Sequence, residues 1–246
     1  MQKRGTRWHY VAGLAVLASF GSCVSAGAGA DKKDAPKPLP PEIVKAWHDA
    51  GADVGWMKDL PPQPTGGYEF WEPFREKVGP GAVPAFRFHP DKEDVLATLP
   101  DPGVAFGLDF HCSPVTGAWL KKLAGLKSLR SLNVGGSLVL TDEELKELAG
   151  LKNLQALDLS NTQVTGAGLK ELAGLKSLQA LNLGATQVTD ARLKELAGLK
   201  SLRWLNLNRT EVTAAGVAGL QKDLPKCKII TGDDCRGVPF RTRRHG

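Results

Sequence analysis

The chain has 246 residues, 42% of them hydrophobic and 24% charged, and a formal net charge of +6. This length and composition suit one or two domains with a buried core, which excludes disorder of the whole chain. The positive charge lies at the two ends. Removing residues 1–26 takes away Lys3, Arg4 and Arg7 and no acid, so +6 falls to +3, and the four arginines of the tail RGVPFRTRRHG leave 27–235 at about −1. A body with this balance predicts no nucleic-acid surface.

The N-terminus has the pattern of an export signal. MQKRGTRWHY is basic, and VAGLAVLASFG is apolar but short for a membrane span. We expect a signal peptide at 1–26, cleaved after Ala26 or after Ala30, and a periplasmic, envelope or secreted location. A buried or interfacial N-terminal helix is the alternative. FGSC loosely resembles a lipoprotein signal in which Cys23 would be lipidated, although Phe20 stands where that family usually has leucine.

Two segments precede the repetitive part of the chain. Residues 27–41 are small, charged and proline-rich, which is typical of a flexible linker. In 42–92, PEIVKAWHDAG predicts a short helix that begins near Pro41, has Ile43 and Trp47 on one face and stops at Gly51. YEFWEPF and AFRF add Phe70, Trp71, Phe74, Phe86 and Phe88 to this segment. We interpret 42–92 as an N-terminal cap on the repeats; an aromatic ligand pocket is the alternative.

From residue 93 the chain repeats itself. LAGLK occurs at 123, 148, 172 and 196, at spacings of 25, 24 and 24. With a degenerate first copy, five units begin near 96, 120, 145, 169 and 193. The array is expected to occupy 93–232, where VAGLQKDLPKCKII forms a C-terminal cap, and to be followed by a basic, disordered tail at 233–246.

Each unit contains one strand and one helix. Leu181 and Leu183 alternate with polar residues as in a strand, whereas Leu193 and Leu196 have helical spacing. Thr189 or Asp190 suits an N-cap, and Thr141 with Glu144 has capping-box spacing. The sequence therefore predicts an α/β solenoid, with parallel strands on the concave side and short helices on the convex side.

These residues resemble leucine-rich repeat proteins. The units ending in VTDxGL-like helix starts are similar to ribonuclease-inhibitor-like and cysteine-containing arrays, and the lead-in VKAWHDAGADVGWM resembles exported bacterial members of the class. The chain departs from the pattern by having Ser113, Thr162, Thr186 and Thr210 where many repeats use asparagine or cysteine. The resemblance implies that side chains at this turn form a buried row of hydrogen bonds between units, which hydroxyl groups would make here. It implies no enzymatic activity.

In-register stacking would place equivalent residues in columns on the concave face. The first column is Gly107, Ser131, Ala156, Ala180 and Trp204; the middle one is Asp109, Asn133, Asp158, Asn182 and Asn206; the third is His111, Gly135, Ser160, Gly184 and Asn208. We interpret the Asp/Asn column as solvated polar residues. A metal or sugar site is the alternative, although Asp109 and Asp158 would be ~10 Å apart, too far to share one ion.

The last unit departs from the others. Its open-face and turn positions differ from the equivalent positions of earlier units in the direction that a protein interface favours. These residues are Arg203, Trp204, Asn206, Asn208 and Arg209. They form the candidate contact site, with adaptation to a terminal cap as the alternative. From the sequence, alanine at Trp204 and Arg203 is expected to weaken partner binding and leave the melting temperature nearly unchanged.

The sequence predicts no catalytic residue, cofactor or metal ligand. His9, His48, His89, His111 and His245 lie in unrelated contexts, and no zinc, nucleophile-elbow or phosphate-loop motif is present. His111 beside Cys112 is better explained as an exposed histidine than as the base of a nucleophile. The repeated lysine and glutamate of LKEL and the lysine of GLK are interpreted as a solvated helix surface.

Cysteine usage leaves one pairing open. Cleavage at Ala26 would remove Cys23 and leave three cysteines, an odd number for an oxidising compartment. Cys227 and Cys235 are the possible disulfide because they are close in sequence, and Cys112 is remote from both.

The sequence favours a non-catalytic binding module whose concave face contacts a protein or other macromolecule outside the cytoplasm. The alternative is a structural or envelope protein without a specific ligand, which the near-identity of the units favours. An enzyme with its chemistry in 42–90 is the least favoured hypothesis. A membrane is expected as a partner only through a lipidated Cys23 or the basic tail.

Overall fold

The computed structural model describes residues 39–58, 82–88, 96 and 98–232, all within the unit formed by 33–246. Several predictions fall outside these residues: the signal peptide at 1–26 with Cys23, most of the linker, Phe70, Trp71 and Phe74, Cys235 and the tail.

Eight strands form one sheet in which spatial order follows chain order. They are β1 (Ala52–Lys58), β2 (Ala82–Phe88), β3 (Phe106–Asp109), β4 (Leu129–Asn133), β5 (Ala156–Asp158), β6 (Ala180–Asn182), β7 (Trp204–Asn206) and β8 (Lys228–Ile230). β1 and β2 are antiparallel. All later neighbours are parallel, so the amino ends of β2–β8 share one edge of the sheet and their carboxyl ends share the other.

Short helices fill the connections. They are α1 (Pro41–Asp49), α2 (Gly117–Leu123), α3 (Leu169–Leu172) and α4 (Ala214–Asp223), with 3-10 helices at Glu144–Gly150, Gly166–Gly168 and Asp190–Leu196. The predicted α/β solenoid is thereby confirmed. The 3-10 geometry fits the spacing of Leu193 and Leu196, because residues three apart lie on the same face of such a helix, and both are buried.

One continuous core runs from Trp47 to Cys227. Strand leucines such as Leu157, Leu181 and Leu205 pack in it with helix leucines such as Leu172 and Leu196. Because strand side chains alternate, the residues between the leucines lie on the opposite side of the sheet, which we call the open face.

The amino-terminal end of the core is aromatic. The Trp47 ring stacks on Phe86 at a centroid distance of 4.1 Å and meets the edge of Phe106. Its Nε1 donates to the Pro100 carbonyl at 3.0 Å. Because Trp47, Phe86 and Phe88 are buried against one another and the first repeat, these described aromatics form core rather than the alternative ligand pocket.

The hairpin of β1 and β2 was not predicted from the sequence, although the helix before it was. Pro84 lies inside β2, where a proline usually argues against a strand. Its missing N–H costs no bond to β3, because β2 pairs with β3 only over Ala85–Arg87.

At the start of their helices, some neighbouring units are joined by a pair of hydrogen bonds from a threonine to an aspartate, which we call the clasp. Asp142 accepts from the backbone N and Oγ1 of Thr165, and Asp190 accepts from the same atoms of Thr213. These bonds lower the pKa of the Asp190 carboxyl. Glycine lies beside each aspartate: a Cβ at Gly168 would be 2.5 Å from Asp142 Oδ1, and one at Gly216 would be 2.0 Å from Asp190 Oδ1. The unit between them has Gly166 at the aspartate position, so the clasp joins every second pair of units.

The predicted helix-start bonds differ from unit to unit. Thr141 and Glu144 form one of the two bonds expected of a capping box, in which Glu144 Oε2 accepts from the Thr141 backbone N at 2.8 Å. Thr141 Oγ1 accepts instead from the backbone N of Glu143, the residue at which the 3-10 helix is capped. Thr189 lies at the predicted N-cap, but its side chain makes no capping bond. Among the described residues, no helix is long and apolar enough to cross a bilayer.

Candidate binding surface

The strand register aligns the columns predicted for the open face. Gly107, Ser131, Ala156, Ala180 and Trp204 are successive partners, as are Asp109, Asn133, Asp158, Asn182 and Asn206. β8 extends the two columns with Lys228 and Ile230. The alternation of leucines in the sequence therefore predicted correctly which residues share this face.

The Asp/Asn column is not solvated, and that interpretation was wrong. Its five members are at most 7% exposed. Amides link the units: Asn133 Nδ2 donates to Asp109 Oδ1 at 3.0 Å, Asn182 Nδ2 to Asp158 Oδ2 at 2.9 Å, and Asn206 Nδ2 to Asn182 Oδ1 at 2.9 Å. We call this column the amide ladder. Its side chains satisfy one another because each unit places its amide one strand spacing from the next.

Each member of the amide ladder also closes the turn after its strand. The side-chain Oδ1 accepts from the backbone N–H two residues later, as from His111, Gly135, Ser160, Gly184 and Asn208. The third predicted column is therefore fixed by the second. The buried Asn208 Oδ1 has no hydrogen-bond partner within the described part of the chain.

The two carboxylates of the amide ladder lie in different environments. Asp109 Oδ2 accepts from Arg87 Nε at 2.9 Å in a partly buried ion pair. Asp158 forms no ion pair with another described residue. Burial raises the pKa of its carboxyl, although hydrogen bonds from Ser160 and Asn182 and the electrostatic interaction with His111 offset part of this effect. At neutral pH, the ionised form of Asp158 therefore costs folding free energy.

Replacing Asp158 by asparagine is expected to raise the free energy of unfolding at pH 7 by about 1 kcal/mol or more, the net value of one hydrogen bond. The new amide would donate toward Asn133, as Asn206 donates to Asn182. Because the folded pKa of Asp158 is raised, its contribution to stability is greatest below the unfolded value of about 3.9. This contribution to the free energy of unfolding falls as pH rises through the pKa that Asp158 has in the folded protein. The asparagine variant does not ionise, so its stability should not show this decrease with pH. Urea unfolding at pH 4 and pH 7 measures both effects.

The matched control is Asp109→Asn, which alters the same ladder position in another unit. It removes the charge that pairs with Arg87, and we expect it to lower stability at pH 7. A lower stability of the Asp158→Asn variant at pH 7 would contradict the role given to burial.

Trp204 is not the exposed anchor that the sequence suggested. It is 8% exposed and packs with Ala156, Ala180 and Ile230 in a small cluster on the open face. Small residues in the two preceding units leave room for its ring. Alanine at this position should therefore reduce stability by about 1.5–3 kcal/mol, and the expectation of an unchanged melting temperature was wrong.

The two arginines of the candidate site lie in the turns before and after β7 and not on the open face itself. Arg203 is exposed, and its guanidinium donates to the carbonyls of Lys200 and Leu202 in the turn before β7. Arg209 is exposed in the turn after β7, with a φ of +57°. Asn206 and Asn208 are buried. Of the predicted contact residues, Arg203 and Arg209 present the accessible side chains.

The positive φ of Arg209 belongs to a column that the sequence did not reveal. Cys112, Asn161 and Ala185 occupy the equivalent turn position at φ of 59°, 52° and 55°, and Gly136 at 75°. Left-handed backbone favours glycine and asparagine, but only Asn161 and Gly136 conform to that preference. Residue type alone therefore did not mark this turn.

The predicted hydroxyl ladder is replaced by local bonds. Oγ1 of Thr162, Thr186 and Thr210 donates to the carbonyl three residues earlier. The hydroxyls close their own turns, and the amide ladder makes the links between units that the resemblance had assigned to them.

The candidate chemical residues form no recognisable centre. No group of three His, Cys, Asp or Glu residues suited to a metal occurs among the described residues. His111 and Cys112 are both exposed. Cys227 is buried and forms no disulfide with another described cysteine. Burial raises the pKa of its thiol to about 12. Because Cys235 lies outside the described residues, its pairing with Cys227 stays a prediction.

Residues 152–212 match the family model described as leucine rich repeat. Within this segment the chain is similar to leucine-rich repeat proteins. The matched segment contains β5, β6 and β7, whose parallel register and stacked leucines are described above. The chain matches no curated protein.

Several solved structures are similar to part of the chain. Internalin C2 of Listeria monocytogenes is 25% identical over 56% of this chain and 64% of its own, with a TM-score of 0.41. A leucine-rich repeat protein of Leptospira interrogans is 28% identical over 51% and 29%, with a TM-score of 0.38. In the TLR13–ssRNA13 complex, the matching chain is 23% identical over 50% and 17%, with a TM-score of 0.37. The chain spans less than two thirds of each of these proteins.

Proposed function

We propose that the chain is a non-catalytic, exported binding module that presents the open face of its leucine-rich repeat sheet to a protein or other macromolecule. The finer class that we propose is the exported bacterial type, with 24-residue repeats similar to ribonuclease-inhibitor-like and cysteine-containing arrays. The basic and apolar N-terminus supports export. Edman sequencing of the protein recovered from the cell envelope, with a start after Ala26 or Ala30 expected, tests it.

One observation carries the binding proposal. The centre of the open face consists of small buried residues such as Ala156, Ala180 and Gly184. At its carboxyl-terminal end, the largely buried Trp204 packs with Ala156, Ala180 and Ile230, and the exposed Arg203 and Arg209 lie before and after its strand. Interfaces concentrate binding energy in tryptophan and arginine.

Cross-linking in the native cell-envelope fraction, followed by pull-down of the full chain, is the test. The variant Arg203→Ala/Trp204→Ala should lose a partner that the unchanged protein captures. Its matched control is Arg130→Ala/Ser131→Ala, which alters the same two positions of an earlier unit; Arg130 also donates to two turn carbonyls. Circular dichroism must show both variants folded at the temperature used, because Trp204 is buried. Equal capture by both variants would contradict a site at the carboxyl-terminal end.

A structural role without a specific ligand is the second candidate. Its support is the near-identity of the units and the amide ladder, which consumes in internal bonds the polar groups that a binding face would present. Capture of the chain alone, in cross-links to its own copies, would favour this role.

A further inference from the structure

A row of lysines follows the edge of the sheet where the strands begin. Lys127, Lys152, Lys176 and Lys200 occupy the same position in four successive AGLK turns and are all exposed. We call this row the lysine edge. Since neighbouring strands lie about 4.8 Å apart, the four residues extend over roughly 15 Å.

The turns hold these ammonium groups along the edge. Lys176 Nζ donates to the Gly198 carbonyl of the next unit at 3.2 Å, and Lys200 Nζ donates to the Asp223 carbonyl at 3.0 Å. Lys127 Nζ donates to the Ala124 carbonyl at 2.6 Å. These carbonyls lie at or just after the carboxyl ends of the short helices, where positive charge is favourable.

Charge is segregated between the two edges of the sheet. The turns at 124–130, 149–155, 173–179 and 197–203 contain the lysine edge, Arg130 and Arg203 and no acid. Within the described part of the chain, no carboxylate forms an ion pair with the four lysines. The turns at the opposite edge contain Asp142, Glu143, Asp190 and Glu211, with Arg209 as their basic residue. At the first turn, the carboxylate of Asp101 accepts from the backbone N of Ser128 and offsets part of the charge of Lys127. The turns of Lys152, Lys176 and Lys200 contain no acid, so most of the positive charge of the lysine edge is not offset within these turns.

Neutral hydrogen-bonding groups accompany the lysines. The next residue in each turn is Ser128, Asn153, Ser177 or Ser201, none of them fully buried. The Ser128 side chain bonds to Asp101 and Asn153 Nδ2 donates to the Lys127 carbonyl, so a ligand would bond chiefly with Ser177, Ser201 and the amide oxygen of Asn153. A shallow depression opens between the first two turns and is lined by Lys127, Lys152 and Asn153 together with Leu126 and Leu151. An ammonium beside a hydroxyl or amide suits a ligand that carries both acidic and hydroxyl groups.

The edge disfavours three other polyanionic or acidic partners. Its four turns contain no aromatic residue, and stacking on aromatics supports binding of single-stranded nucleic acid. Insertion into a membrane requires large, exposed apolar side chains. Among the described residues of the repeats, these are Leu138 and Val139, and both lie in a turn at the opposite edge. It also lacks the aromatic anchors of protein interfaces. Of the polyanionic ligands considered, a polysaccharide with hydroxyl groups and regularly spaced acidic groups fits the lysine edge best.

We propose that the lysine edge binds a linear acidic polysaccharide, a surface separate from the open face. Its carboxylates or sulfates would lie against the lysines, and its hydroxyls would bond with the adjacent serine and asparagine side chains.

The test uses the full chain and measures binding of size-defined heparin and oligogalacturonate by fluorescence anisotropy at several salt concentrations. Changing the four lysines of the lysine edge together to glutamine should weaken binding at least about tenfold and reduce the log–log salt slope by roughly 3. The same four positions changed to arginine should retain binding. Oligogalacturonate carries only carboxylates, so preference between the two probes identifies the acidic group.

The matched control removes the same charge from the helices: Lys121, Lys146, Lys170 and Lys194 changed to glutamine, all exposed. Melting curves verify that both sets are folded. Equal losses in the two sets, or no binding by the unchanged chain at low salt, would overturn the proposal. So would tighter binding to a thymidine oligonucleotide of equal charge or to phosphatidylglycerol vesicles, which would assign the edge to nucleic acid or membrane. The basic tail is present in every variant and cancels from the comparison.

Discussion

Replacing Trp47 by alanine is expected to lower the free energy of unfolding by about 3–5 kcal/mol, the usual range for a buried tryptophan. The side chain is fully buried, stacks on Phe86 and packs against Phe106 of the first repeat. Its removal leaves a cavity between α1 and the sheet and orphans the Pro100 carbonyl, which accepts from Nε1. Urea unfolding monitored by circular dichroism measures the change.

Trp47→Phe separates packing from the hydrogen bond, because it keeps a ring and loses Nε1. Val54→Ala in β1 serves as the control, since Val54 is 36% exposed, and it should cost less than about 1 kcal/mol. A loss of that small size for Trp47→Ala would show that α1 contributes little to the stability of the repeats.

Leu181→Ala is expected to cost about 2–5 kcal/mol. Leu181 is fully buried, and the register places it between Leu157 and Leu205. Because each unit is stabilised by its neighbours, the loss should spread beyond β6. Hydrogen exchange should show faster opening of the backbone bonds from Leu159 to Asn182 and from Leu183 to Asn206.

Leu138→Ala is the matched control, as Leu138 is 63% exposed. It should change stability by no more than about 0.5 kcal/mol. If exchange accelerated only within β6 in the Leu181 variant, the units would be energetically independent, contrary to the packing of the core.

Periodicity predicted the fold because its signal is repeated. The spacing of Leu181, Leu183, Leu193 and Leu196 recurs in each unit, so strand, helix and register followed from one motif. The hairpin of β1 and β2 has no second copy, and Pro84 argued against a strand there. Its pairing is a tertiary feature that single-sequence patterns did not reveal.

The candidate surface was predicted in position but not in environment. Alternation placed Asp158 and Asn182 on the open face, and polarity then suggested that they were solvated. Their burial arises from mutual hydrogen bonding between units, which depends on distances that a sequence does not contain. Trp204 was misjudged for a related reason, because the room for its ring comes from Ala156 and Ala180 in other units. A column in which Asp or Asn recurs every 24 or 25 residues was the available sign of a ladder.

The alternation of the clasp limits which repeat units can be deleted from the chain or duplicated within it. Asp142 and Asp190 are 48 positions apart, and each has its glycine, Gly168 or Gly216, 26 positions later. Removal of residues 166–189 would bring Arg192 to the place of Gly168, where a Cβ would collide with the Asp142 carboxylate. Removal of residues 142–189 would instead bring Asp190 to the place of Asp142 with its glycine in position. The clasp therefore excludes a change in the number of units that brings a side chain larger than glycine beside a retained aspartate.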